Sequence, residues 1–260
     1  MWSLSSPKWI VGLSAQRITL VRPAWGWTRN IAACEHIDCK SETPGTDGAS
    51  WQPAVVTLAQ WLAEKGGRNP KLHVVLSGRF VRWQLLAWQA EVSQPKELAA
   101  YASLRFHETF GKAANDWQVM HSPQPPGQTV PACAVDAALI AALRSTCDAA
   151  GATLATVAPC FASAFDLRRT SFNKKSAWFG LIEPDCVSLG LLCDGQWLGL
   201  RSQRVDADWR DALPGMMAQM GIAVGLSEES VPLYLTGGGG APPRVAGLAF
   251  TWLQSKAQGI

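Results

Sequence analysis

Four consecutive glycines, Gly237 to Gly240, follow the apolar run Val231 to Thr236. Glycine tolerates positive φ and lets a backbone or a ligand come close, so a strand ending in such a turn can cradle a phosphate or an adenosine. Gly237, Gly238 and Gly239 are the candidate contacts. A helix over Arg244 to Leu253, with Pro243 near its first turn, would aim free N–H groups at the strand end. The same glycines can also make a tight turn and nothing more. Cys34-Glu-His-Ile-Asp-Cys39 gathers two thiols and an imidazole. Its spacing fits no standard zinc pattern, and no second Cys/His pair follows at a finger-like distance. In a strand Cys34 and His36 share one face and Cys39 takes the other, so no metal is expected. His36, His73, His107 and His121 lie far apart. A Gly-x-Ser-x-Gly elbow is absent, and Val75-Leu-Ser-Gly78 reads as a strand entering a turn. Arg168-Arg169 and Lys174-Lys175 form a basic patch that suits an acidic headgroup or partner, although four charges more often mark a solvated linker. None of these groups makes a catalytic constellation.

Composition narrows the field further. The chain has 260 residues, 48% hydrophobic and 17% charged, with a net charge of +3, so a core is available and a nucleic-acid footprint is not indicated. Seven Cys are scattered, and an odd number cannot all pair internally, which predicts reduced thiols and a cytoplasmic setting. The N-terminus lacks a signal-peptide pattern, and no apolar run is long enough to span a bilayer. Any membrane association is therefore expected to pass through a partner. Among thirteen Trp, Trp2, Trp9, Trp25 and Trp27 crowd the start of the chain and hint at a sticky surface.

The elements that must position these residues alternate. Trp9 to Val21 reads as a hairpin and Ala24 to Ile37 supplies a third strand. Pro53 to Lys65 has helical spacing at Val56, Leu58, Ala59 and Leu62, with Gly66-Gly67 as the stop. Leu72–Leu76 is a buried strand, Phe80 to Trp88 is extended, and Pro95 to Phe110 is a helix with Glu97 in its first turn. Strands follow at 115–120 and 130–135. A helix runs from Asp136 as N-cap to Gly151, and next come a strand at Thr153–Val157 and a helix opened by Pro159. The second half has strands at 178–182, 186–193 and 196–205, the last two joined by the hairpin signal Asp194-Gly195. A helix over about 207–220, interrupted by Pro214, precedes the glycine strand. This is an α/β chain with mixed sheets, and its second half is a shorter echo of its first.

Three stretches carry a family resemblance: Ala132 to Leu143 through Gly151 to Pro159, the meander Trp178 to Val205, and Leu235-Thr-Gly-Gly-Gly-Gly-Ala241. Together they cover somewhat under half of the chain. Their order resembles the actin-like ATPase superfamily, most closely the branch with the PilM pilus-assembly proteins and the cytoplasmic part of general secretion pathway protein L. The third stretch is similar to the superfamily's adenosine motif.

The resemblance implies a duplicated ribonuclease-H-like fold of two lobes, each a five-stranded mixed sheet with helices. The first lobe would be 1–158 with an inserted subdomain at about 78–135, and the second, smaller lobe 159–260. Two phosphate-loop hairpins are implied, each opened by an Asp and followed by small residues. Here Ser14 stands at the Asp in the first, and Leu181 in the second, where Glu183 and Pro184 also replace small residues. A Leu cannot hold Mg²⁺, and Glu183 sets negative charge where phosphate oxygens belong. Asp185 as a displaced metal ligand is less expected than a solvated or capping carboxylate. The expectation is a degenerate, non-catalytic member, a scaffold of a type IV pilus or type II secretion platform. It would bind the cytoplasmic tail of an inner-membrane protein and sit at that membrane through it, with no cofactor. The alternative is ATP binding by an ATPase or sugar-kinase-like phosphotransferase. Homo-oligomerisation stays open.

Overall fold

The computed structural model describes residues 8–23, 31–39, 51–92, 94–205, 208–225, 231–237 and 248–254. Trp9, Val11 and Leu13 are buried and alternate with the more exposed Lys8, Ile10 and Gly12, so β1 (Lys8–Leu13) buries one side, and β2 (Arg17–Pro23) returns antiparallel to it. β3 (Ile31–Asp38) pairs antiparallel with β2. Pro in its first turn and Gly66 at its end delimit α1 (Gln52–Lys65). Its buried stripe is Ala54, Val55, Leu58, Trp61 and Leu62, whereas Val56, expected inside, is 56% exposed and Ala59 is exposed too. Trp61 decides the rotation: its ring meets the Trp9 ring edge-on, centroids 4.8 Å apart, and brings its own face of the helix inward. Trp9 is thus core rather than sticky surface, while Trp2, Trp25 and Trp27 lie outside the described residues.

After β4 (Lys71–Leu76) and a single 3-10 turn, β5 (Val81–Leu86) leads to α2 (Pro95–Phe110). Glu97 accepts a hydrogen bond from the Gln94 N–H at 3.0 Å and so occupies one donor at the helix start. Then come β6 (Trp117–His121), β7 (Val130–Asp136), α3 (Ala137–Ala149) and β8 (Thr153–Pro159). Gly151 takes φ +63 between α3 and β8, the left-handed turn a helix stop needs. α4 (Cys160–Asp166) is followed by the meander β9 (Ala177–Ile182), β10 (Cys186–Cys193) and β11 (Gln196–Arg204). Asp194 and Gly195, φ +50 and +81, make the two-residue turn read from sequence. α5 (Trp209–Ala223), capped by Asp208, contains Pro214; β12 (Leu233–Gly237) and β13 (Phe250–Trp252) complete the described elements.

Two five-stranded mixed sheets result, ordered β3-β2-β1-β4-β8 and β11-β10-β9-β12-β13, plus a three-stranded sheet β5-β7-β6. In each large sheet the first three strands are antiparallel neighbours and the last two join in parallel. The chain divides into two compact units. One holds the described residues up to Phe80 with Ala138–Ser163, the other Val81–Ala137 with Ala164–Gln254. In the second unit, α2 lays Ala102 and Phe106 on Leu86, Val130, Ala132 and Ala134 of the small sheet, and Thr129 Oγ1 donates to the Trp197 carbonyl at 2.5 Å.

Candidate functional site

The two hairpins at the starts of the large sheets, β1–β2 and β9–β10, are the ones that the resemblance reads as phosphate loops. In the first, Ser14 closes the turn on itself: its N–H and its hydroxyl both donate to the Arg17 carbonyl, at 3.0 and 2.8 Å, and its Oγ accepts from the Arg17 N–H at 3.1 Å. The hydroxyl is thereby committed to its own hairpin. Ser77, buried at the end of β4, donates its N–H to the Leu13 carbonyl at 2.9 Å and accepts from the Arg79 N–H at 3.3 Å, which fixes the turn expected at Ser77-Gly78 beside the hairpin.

In the second hairpin the Glu183 N–H donates to the Cys186 carbonyl at 2.9 Å, and the Asp185 carbonyl accepts from Val205 N–H at 3.1 Å. Asp185 is only 5% exposed, so its carboxyl is not a solvated turn group. Burial pushes the Cys186 thiol up to about 12, and the charges of Glu183 and Asp185 push the same way. Leu181 lies inside β9, paired with Ser188 and Thr236, and does not belong to the turn. Strand register shows that Ser14 and Leu181 are not matching positions. Ser14 and Glu183 each donate to the residue three further on, so Glu183 is the counterpart of Ser14, and Leu181 is the counterpart of Gly12.

Gly237 closes β12 opposite Ile182. A Cβ there would stand 2.5 Å from the Ile182 carbonyl oxygen and 3.1 Å from Ile182 Cβ, so the glycine is required by the backbone that carries the second hairpin. Gly238 and Gly239 lie outside the described residues. The helix expected over Arg244 to Leu253 is corrected where the chain is described: Phe250–Trp252 is a strand parallel to β12. The Leu253 N–H donates to the Leu235 carbonyl at 2.7 Å and Thr236 Oγ1 donates to the Leu253 carbonyl at 3.0 Å. Partners for the open β12 edge outweigh local periodicity, with Phe250 and Trp252 packing on the α5 core.

The basic patch divides. Arg168 donates to the Gln254 and Ala164 carbonyls at 2.6 and 3.3 Å, and burial lowers its pKa, so it ties two segments together rather than floating in a linker. On β3, Cys34 Sγ lies 3.6 Å from His36 Nε2, the shared face that strand alternation predicts. Thr19 joins this face without a local sequence signal: its Oγ1 lies 3.1 Å from His36 Nδ1, and only the β2–β3 register places it opposite. Among the described residues no three His, Cys, Asp or Glu side chains gather as a metal site. Among them too, no helix is long and apolar enough to cross a membrane.

No protein-family model matches the sequence, and no curated protein matches it. Solved structures do match. One is a Bacteroides thetaiotaomicron protein with an actin-like ATPase fold and unknown function, 11% identical, TM-score 0.62, over 91% of this chain and 85% of that one. Another is the cytoplasmic domain of EpsL, an inner membrane component of the type II secretion system of Vibrio cholerae, 13% identical, TM-score 0.60, over 97% and 91%. A third is in the PilM–PilN type IV pilus biogenesis complex, 16% identical, TM-score 0.61, over 88% and 80%. With the same strand order built twice and these likenesses over nearly the whole chain, the protein has the actin-like ATPase fold.

Proposed function

We propose that this chain is a non-catalytic cytoplasmic scaffold of a type IV pilus or type II secretion assembly platform, holding the cytoplasmic tail of an inner-membrane protein. The observation that carries the reading is the second hairpin. Its Glu183 N–H is already bonded to the Cys186 carbonyl, and the next residue, Pro184, has no N–H to offer a phosphate where such a loop needs a small residue. The likeness to the EpsL cytoplasmic domain and to PilM in the PilM–PilN complex supports the assembly-platform part of the reading. Calorimetry with tail peptides of candidate inner-membrane partners should give saturable binding. Millimolar Mg-ATP should leave the melting temperature unchanged, whereas occupancy at a hundred times Kd would add about 2.7 kcal/mol. A raised melting temperature with phosphate release would replace the scaffold by the ATPase or phosphotransferase reading. A raised melting temperature without release would mean that nucleotide binding has outlived catalysis.

A further inference from the structure

One side of the first large sheet carries a chain of three side chains from two strands. Thr19 on β2 faces His36 on β3 directly. Its Oγ1 is 3.1 Å from His36 Nδ1, and the far ring nitrogen, Nε2, is 3.6 Å from Cys34 Sγ. Cys34 and His36 are both exposed, so solvent and small molecules reach the pair. Among the described residues the charged neighbours are accounted for. Asp38, beyond His36, is bonded to Arg17 at 2.7 Å, and Glu35 turns to the other face, where Lys65 and Trp61 hold it at 2.6 and 3.2 Å. Lys8 on β1 and His73 on β4 lie further across the sheet.

We propose that Cys34 is a base-assisted surface thiol that exchanges with low-molecular-weight disulfides, with His36 as its base and Thr19 as the residue that positions the ring. In the tautomer with the proton on Nδ1, that N–H donates to Thr19 Oγ1 and Nε2 turns its lone pair to the thiol. The thiolate, not the thiol, is the nucleophile, and an unassisted thiol is only a few per cent ionised at neutral pH. Cys34 passes its proton to Nε2, and its sulfur attacks one sulfur of a disulfide such as oxidised glutathione. A new S–S bond forms as the old one breaks, and the departing thiolate leaves as the thiol with the proton from His36. Cys34 is oxidised to a mixed disulfide, and one half of the small disulfide is reduced.

The other thiols are poor competitors. Burial raises Cys133 and Cys186 to about 12 and Cys147 to about 11, and burial raises Cys39 as well. Cys160 and Cys193 are half-buried, and Cys193 Sγ accepts from the Ser176 hydroxyl at 3.7 Å.

The test is a time course of the whole chain with oxidised glutathione at neutral pH, followed by intact mass and peptide mapping. The first adduct is expected on Cys34, reversed by reduced glutathione and absent in Cys34→Ser. His36→Gln should slow it about tenfold, and the slowing should shrink at alkaline pH, where the thiol ionises unaided. Thr19→Val keeps the β-branched shape, removes the hydroxyl, and should slow it a few-fold. Melting curves of both variants should match the parent, since all three side chains are partly or wholly exposed. A first adduct on another cysteine would overturn the proposal. So would unchanged rates in His36→Gln and Thr19→Val, which would mark Cys34 as merely accessible.

Discussion

The two five-stranded sheets share one order and the same sequence of antiparallel and parallel neighbours, yet they bury themselves differently. In the first, β1 alternates between buried and partly exposed residues. One face packs on α1, and the other presents Lys8, Arg17, Thr19, His36 and His73, with Val21 and Val75 as buried exceptions. In the second, all six residues of β9 are buried. α5 covers one face with Leu213, Met216 and Met220. Phe165 and Phe172 cover the other, with rings 5.5 Å from Phe179 and, for Phe172, 5.3 Å from Tyr234. Matching cross-strand pairs make the contrast concrete. Thr19 opposite His36 corresponds to Ser188 opposite Ser202, whose hydroxyls are 2.6 Å apart with Ser188 fully buried. A duplicated topology therefore constrains strand order and direction, while what covers each face decides which residues the strands may carry.

That difference can be broken by substitution at matching positions. Phe179 and Ile10 correspond by register, one fully buried among aromatic rings, the other half-buried. Phe179→Ala should cost roughly 3–5 kcal/mol in urea unfolding, and Ile10→Ala about 1 kcal/mol. Equal losses would mean that the two faces are equally covered. Next in size, Gly237→Ala must push its new methyl towards the Ile182 carbonyl and should cost roughly 1–3 kcal/mol. Gly12→Ala, with 3.5 Å to Thr19 Cβ, should change stability by less than about 1 kcal/mol. The smallest effect is in pH. Burial lowers the pKa of His73 below its ordinary value of 6.5, and the charges of Lys8 and Lys71 lower it further. The folded state then binds this proton less readily than the unfolded chain. Its contribution is complete above pH 6.5 and is lost as the pH falls from there through the lowered value. His73→Gln should flatten that limb of a stability profile.

Much of this was legible in the chain. Periods, glycine stops and the Asp194-Gly195 signal located most strands and helices because they are local effects, and the strand order repeated as the echo between halves suggests. Three features were not legible for physical reasons. The α1 stripe is set by Trp61 meeting Trp9, a contact between distant segments. The strand at Phe250 exists because β12 needs an edge partner, which helical spacing near the C-terminus cannot reveal. The matching of Ser14 with Glu183, rather than with Leu181, needed the register of two hairpins. At the candidate site, glycine correctly signalled close approach at Gly237, but the approaching group is the protein's own Ile182 backbone.

The end of the second sheet also has a mechanical consequence. β13 runs parallel to β12, Leu253 bonds to both Leu235 and Thr236, and Arg168 grips the Gln254 carbonyl. A force drawn along the strand from beyond Gln254 loads these bonds together in shear instead of peeling them one by one. Their joint rupture, rather than their individual strengths, then sets how long the sheet withstands a pull.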